Sequence, residues 1–223
     1  THTGMNKEEY KKYAEEHEDW APGWDAIDEC FEKLYPGQEP EHFGTNIISR
    51  AMMGGDEYLD GYSIYTSPNG YKHLITYGMS ELYSNEEALE NEFSKWGYEM
   101  TIKLPVETSE ECQWAISMMS NLARYTFTQE RWFEPLQFIA GNGQSINWDV
   151  ESAITALLIV NDTEVPGVNT IHGKLDFMQL VGITEQELQA IKADPSKASV
   201  LIELMRKDNP MLITDLTRIT NYL

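Results

Sequence analysis

Apolar and polar positions along the chain switch between a period of three to four residues and a period of two. Tyr10, Tyr13, Ala14 and His17 recur at i, i+3, i+4, i+7, which predicts a helix over residues 6–18. A second helix starts near Pro22, whose fixed φ and missing N–H suit a first helical turn. Trp24, Ile27, Phe31 and Leu34 form its apolar face, and Pro36-Gly37 ends it. Strand-like runs follow over 58–65 and 71–77. Ser67-Pro68-Asn69-Gly70 between them is turn chemistry, so the pair reads as a hairpin. Residues 98–104 alternate most cleanly, with Tyr98, Met100, Ile102 and Leu104 on an apolar face and Glu99, Thr101 and Lys103 on a polar one.

Thr108 lies three residues before Glu111, the spacing of a capping box, and Trp114, Met118, Leu122 and Tyr125 then share one helical face. Short strands are expected at 136–140 and 155–161 and across 167–181. Thr184 and Glu187 repeat the capping-box spacing before a helix with Leu188 and Ile191. Asp194-Pro195 breaks it, and a further helical stretch carries Val200, Leu201, Leu204 and Met205. Residues 212–216 read as a closing strand. This order lacks the regular strand–helix alternation of a doubly wound parallel sheet, and an early hairpin needs antiparallel pairs. The expected fold class is α+β: a mixed, largely antiparallel sheet packed by helices. No repeat and no Gly/Ser/Pro-rich linker divides the chain, so residues 5–223 read as a single domain. Residues 1–4 precede Met5 and read as an expression remnant.

The charge narrows the function classes. Asp and Glu number 37 against 16 Lys and Arg, a net charge of −21. Such a field repels nucleic-acid phosphates and anionic lipid headgroups and favours basic protein partners. The longest apolar run, 156–160, suits a buried strand and falls far short of the about 20 residues a membrane span needs. The polar N-terminal stretch gives no signal segment, and two well-separated cysteines, Cys30 and Cys112, suit buried thiols in the cytoplasm.

Little points to catalysis. Phosphate-loop, dinucleotide and GxSxG motifs are missing, and Gly141-Asn142-Gly143 and Gly54-Gly55 are loop signals. The histidines at 2, 17, 42, 73 and 172 stand outside metal-ligand spacings, and His73 alternates with aromatic residues as a packed strand histidine does. Glu15, Glu16, Glu18 and Asp19 read as a solvated helix face. A carboxylate pair brought together only by folding stays open. The expectation is no catalytic residue, no metal and no cofactor.

Several blocks in fixed order resemble the suppressor-of-fused family. Ala21-Pro22-Gly23-Trp24-Asp25-Ala26-Ile27-Asp28 and Leu34-Tyr35-Pro36-Gly37-Gln38 are similar to its opening. Gly54-Gly55-Asp56, Leu59-Asp60, Tyr62-Ser63-Ile64-Tyr65 and the Ile75 to Tyr83 run follow in family order. So do Gly97-Tyr98-Glu99-Met100-Thr101, Leu122-Ala123-Arg124-Tyr125-Thr126-Phe127, the Phe177 to Thr184 run and Leu212-Ile213-Thr214-Asp215. The resemblance implies a suppressor-of-fused-like domain: a mixed sheet surrounded by helices, and a non-enzymatic role. In animals the family protein clamps a Gli peptide as an added strand between this domain and a further one, so the chain is expected to end where the first domain does. Tyr125 matches the family's clamp tyrosine, while the clamp aspartate falls near Gln137.

The expectation is therefore a protein-binding module with Tyr125, Gln137 and Phe138 as contact residues. They would lie where an exposed strand near 136–140 accepts an added β-strand peptide. Single-domain members resemble the bacterial branch, which implies an immunity-type inhibitor of a toxin, with a basic toxin domain suiting the charge. The alternatives are an enzyme or small-ligand-binding domain with a non-contiguous, carboxylate-lined site, and a purely structural role. Oligomeric state is left open.

Overall fold

Pro22 opens a helix, and the turn at Ser67-Pro68-Asn69-Gly70 closes a hairpin through the Ser67 N–H, which donates to Tyr71 O at 2.9 Å. The computed structural model describes residues 4–44 and 58–223. The expected Gly54-Gly55 loop and the Gly54-Gly55-Asp56 block lie outside them. Helices α1 (Lys7–Glu16) and α2 (Pro22–Leu34) precede strands β1 (Glu41–Gly44), β2 (Gly61–Thr66), β3 (Lys72–Tyr77) and β4 (Phe93–Leu104). Helix α3 (Gln113–Gln129) leads to β5 (Phe138–Ala140), β6 (Ile154–Asn161), β7 (Val168–Thr170) and β8 (Gly173–Thr184), and α4 (Glu185–Ala193) and α5 (Lys197–Asp208) follow. The sheet runs β1-β2-β3-β4-β8-β6-β5, with β7 also on β8. Every pairing is antiparallel except the central one, where β4 and β8 run parallel with Met100 opposite Met178. This is the expected mixed, largely antiparallel α+β class.

Alternation decides which helix covers which face. Tyr98, Met100, Ile102, Met178 and Leu180 pack with Ala115, Ile116 and Met119 of α3. On the opposite face, Ile75, Tyr77 and Phe177 pack with Ile27 and Phe31 of α2, and Val181 and Ile183 pack with Leu188, Leu201 and Met205 of α4 and α5. The central strands are thus covered on both sides, and the polar face of β4 is buried rather than solvated.

Buried polar side chains fill the space between the two helical patches. His73 Nε2 faces Asp162 Oδ2 at 2.8 Å, and Thr101 Oγ1 donates to the same oxygen at 2.6 Å. An ionised carboxylate only accepts, so Nε2 carries the proton, and His73 Nδ1 meets Tyr35 Oη at 2.7 Å. Lys103 Nζ lies 2.8 Å from Glu164 Oε1 and 3.5 Å from Asp162 Oδ1. Tyr71 Oη also donates to Glu164. The packed, hydrogen-bonded role expected of His73 is what the strand provides.

The two capping signals differ in outcome. Glu187 N donates to Thr184 Oγ1 while Thr184 N donates to Glu187 Oε1, a complete box at α4. At Thr108 the two side chains meet instead: the Thr108 hydroxyl donates to Glu111 Oε1 at 2.8 Å and accepts Glu111 N at 3.4 Å, ahead of a short 3₁₀ turn (Glu110–Cys112) that leads into α3. Residues 212–216 do not form the expected strand. Leu212 has φ 53°, Ile213 N takes Asn209 Oδ1, and Gln179 Nε2 donates to Leu212 O. Side chains satisfy several of these groups, and a single main-chain bond, Thr214 N to Lys103 O at 2.8 Å, ties the segment to β4 in place of a strand ladder. β1, which carries no apolar run, was not expected, and 167–181 divides into β7 and β8.

Gly23 allows the start of α2 to touch the chain after β3. Gly23 N and Trp24 N both donate to Leu82 O, at 3.0 and 3.2 Å. A Cβ at position 23 would stand 1.8 Å from Glu81 O, so Gly23→Ala must push the helix off this loop. A loss of about 2 kcal/mol is expected, the usual scale of overpacking. Thermal unfolding followed by circular dichroism measures it, and an unchanged midpoint would mean that the close approach is not made.

Candidate protein-binding edge

β5 ends one side of the sheet, pairing with β6 alone among the described residues. Its entry is conformationally unusual. Leu136 sits at φ 72°, a region bulky residues avoid, and is held there by its N–H to Ile159 O at 2.7 Å. Ile159 N in turn donates to Gln137 O at 2.9 Å. Antiparallel alternation then directs the main-chain groups of Ile139 towards β6 and those of Phe138 and Ala140 outward. The outer side of β5 is a short row of unmatched donors and acceptors, the feature that allows a further strand to pair.

Large apolar side chains surround this row. The end of α3, the loop after it and β5 enclose a groove of about 940 Å³ that Tyr125, Gln137 and Phe138 all line. Tyr125 is 43% exposed and its ring lies parallel to that of Phe133, 6.2 Å between centroids. Phe138 is 37% exposed, and Trp132, Leu136 and Trp148 are still more open. Gln137 also braces the turn into β5, because its Oε1 accepts Glu134 N at 3.0 Å. A smaller pocket of about 380 Å³, lined by Trp114, Met118, Ile146 and Trp148, adjoins the groove through Leu122 and Ile139. Charges at the groove nearly balance, with Glu130 and Glu134 against Arg131. The surface is apolar at its centre and polar at its rim, as protein-binding patches are.

Two strongly perturbed carboxyls lie elsewhere, in the interior. Glu99 Oε2 accepts Gly78 N, Ser80 N and Ser80 Oγ, and its Oε1 accepts Met79 N and Thr76 Oγ1. Complete burial outweighs these donors and pushes the carboxyl up to about 7. Burial would also raise Asp162, but the charge and hydrogen bond of His73, the charge of Lys103 and the Thr101 bond hold it well below the usual carboxylate range. Among the described residues no group of three or more His, Cys, Asp or Glu side chains is placed to hold a metal ion. The interior charges bind the fold's own partners, whereas β5 and its groove face outward.

A family model described as suppressor of fused protein (SUFU) matches residues 55–219, most of the chain. The chain belongs to the suppressor of fused family. The suppressor of fused homologs of Homo sapiens and Mus musculus are each 32% identical to it over 214 residues, covering 85% of this chain and 42% of their own length. The chain therefore spans less than half the length of these curated relatives. Its fold is that of suppressor of fused structures. A Sufu-Fu complex aligns with a TM-score of 0.76 at 23% identity, covering 91% of this chain and 93% of that one. Drosophila Suppressor of Fused gives the same score and identity over 91% of this chain and 51% of its own. A putative homolog from Neisseria gonorrhoeae aligns at 0.60 and 14% identity over 90% of this chain and 97% of its own.

Trp132 and Trp148 were not singled out in the sequence, and Leu136 entered only as the first residue of the expected 136–140 strand, although all three border the same edge. Bulky apolar residues in turn-rich stretches were the available signal. Periodicity overlooks them because they belong to no helix or strand.

Proposed function

We propose that this suppressor of fused domain is a non-enzymatic protein-binding module whose β5 edge accepts an extended segment of a partner as an added strand. The observation that carries the reading is the outward main-chain row at Phe138 and Ala140, set beside an apolar groove containing Tyr125. Main-chain pairing supplies affinity, and the groove and its adjoining pocket select side chains. A structural neighbour was solved as a Sufu-Fu complex, which supports a protein as the partner class. Tyr125 and Phe138 are the contact residues, and Gln137 holds the turn that presents them. Cys30 and Cys112 are buried and free, which supports the cytoplasmic reading.

Short random peptides displayed on phage and selected against the domain test this reading. Ala140→Pro removes an outward N–H and fills the free edge while leaving the Ile139 side of the β6 pairing intact. Selected peptides are expected to lose at least about tenfold in affinity for the variant, with thermal stability nearly unchanged. Equal affinity for both proteins would rule out pairing at β5.

The net charge of −21 favours a second, finer reading in which the partner is a basic toxin domain and this chain its immunity-type inhibitor. Co-purification with basic toxin domains at low and high salt checks it. Inhibition of none of them would remove it without touching the β5 reading.

A further inference from the structure

The other end of the sheet carries a second surface with different chemistry. β1 pairs only with β2 among the described residues, and its four residues are exposed. Between β1 and α2 lies a pocket of about 860 Å³. Its floor is aromatic: the Trp24 ring stacks on Tyr77 at 4.3 Å, and His42 stands edge-on to both at 5.1 and 5.4 Å. His42 reaches this position because Gly61 lies beneath it; a Cβ there would stand 3.0 Å from the ring.

The rim is acidic. Asp28, Glu29, Glu32 and Glu39 line the pocket against one cation, Lys33. Hydrogen bonds anchor the floor to the rim: His42 Nδ1 to Ser63 Oγ at 2.9 Å, Ser63 Oγ to Tyr77 Oη at 3.3 Å, and Tyr77 Oη to Asp28 Oδ1 at 2.7 Å. Partial burial against Trp24 and Tyr77 lowers the His42 imidazole. Aromatic faces below and carboxylates above attract a guanidinium or ammonium group, since ring quadrupole and carboxylate charge act in the same sense. The β5 groove has no such excess of negative charge.

We propose that this pocket takes an arginine or lysine side chain of a partner protein, carried on an extended segment that pairs with β1. The domain then offers two edges of distinct selectivity, an apolar one at β5 and a cationic one at β1. A side chain projecting from a strand laid along β1 on the α2 side enters the pocket from the same direction as His42, and the main chain pairs with the β1 edge that is open among the described residues.

A synthetic peptide alternating arginine and threonine is the probe, with its glutamate–threonine counterpart as control, each titrated into the isotope-labelled domain and followed by NMR. The arginine peptide is expected to shift the Trp24 indole and the amides of β1 and α2 selectively. Affinity should fall as salt is added. Glu29→Lys combined with Glu39→Lys reverses two exposed rim charges that hold nothing in the fold, and should weaken binding at least about tenfold. Trp24→Leu should weaken it too, while Ala140→Pro at the opposite edge should leave it unchanged. No binding, shifts spread over the other acidic helices, shifts confined to β5, or affinity indifferent to the double reversal would each overturn the proposal, and none would bear on strand addition at β5.

Discussion

Lys103→Met is expected to destabilise the domain by about 3–5 kcal/mol, the range found when one member of a buried charge pair is removed. Lys103 is fully buried, and its ammonium stands among Glu164, Asp162 and the Thr163 hydroxyl. Methionine fills a similar volume, so the loss is not chiefly a cavity effect. It comes from two carboxylates left without their shared cation, Asp162 closed to water and Glu164 largely so. Asp162 still has His73, Thr101 and the Glu164 and Val165 N–H groups, whereas Glu164 keeps only Tyr71 and partial solvent. The additional change Glu164→Gln should therefore recover part of the loss. Urea unfolding of both variants measures this, and equal stability of Lys103→Met and wild type would show that the network adds nothing.

Glu99→Gln is expected to cost about 3 kcal/mol at pH 5 and progressively less as the pH rises. Five donors converge on the two oxygens of Glu99. With the Gln oxygen on the Gly78–Ser80 side, its amide hydrogens face the Met79 N–H, which loses its acceptor. The pH dependence follows from the carboxyl, raised from 4.5 to about 7 by burial. Between these values the folded chain holds a proton that the unfolded chain has released. The stability this group contributes is complete below 4.5 and is lost as the pH passes through 7, a change on the order of 3 kcal/mol. Wild type and variant should converge near pH 8. His42 and His172, both lowered by burial, act in the opposite sense in each protein and cancel in the comparison. A gap independent of pH would mean that Glu99 does not titrate in this range.

Elements whose signals are local were legible in the sequence. Pro22 set the start of α2, Thr184 with Glu187 the start of α4, and Ser67-Pro68-Asn69-Gly70 the hairpin, because each acts through its own backbone. The residues around the β5 edge were legible through Tyr125 and Phe138, which family resemblance and strand spacing brought together. The polar face of β4 was misleading. Alternation marked Glu99, Thr101 and Lys103 as polar, but whether such a face meets water depends on the 76–80 and 162–164 segments that fold over it from elsewhere in the chain. The same holds for 212–216, where apolar residues suggested a strand and the partners proved to be the Asn209 and Gln179 side chains and one main-chain oxygen of β4, that of Lys103. β1 escaped because an exposed edge strand needs no apolar pattern.

The parallel seam has a consequence for how the molecule forms. β1 to β4 and β5 to β8 are each joined internally by antiparallel pairing, and β4 meets β8 across a long stretch of intervening chain. During synthesis β4 emerges well before β8, so its inner edge stays open until residues 173–184 leave the ribosome. Closing so long a loop slows folding, and the waiting edge is apolar on one face and ionisable on the other. Lys103 there hinders another chain from pairing with that edge until Asp162 and Glu164 arrive, because an unpartnered charge is costly to bury in a wrong contact. A residue that stabilises the finished interior also guards the unfinished one.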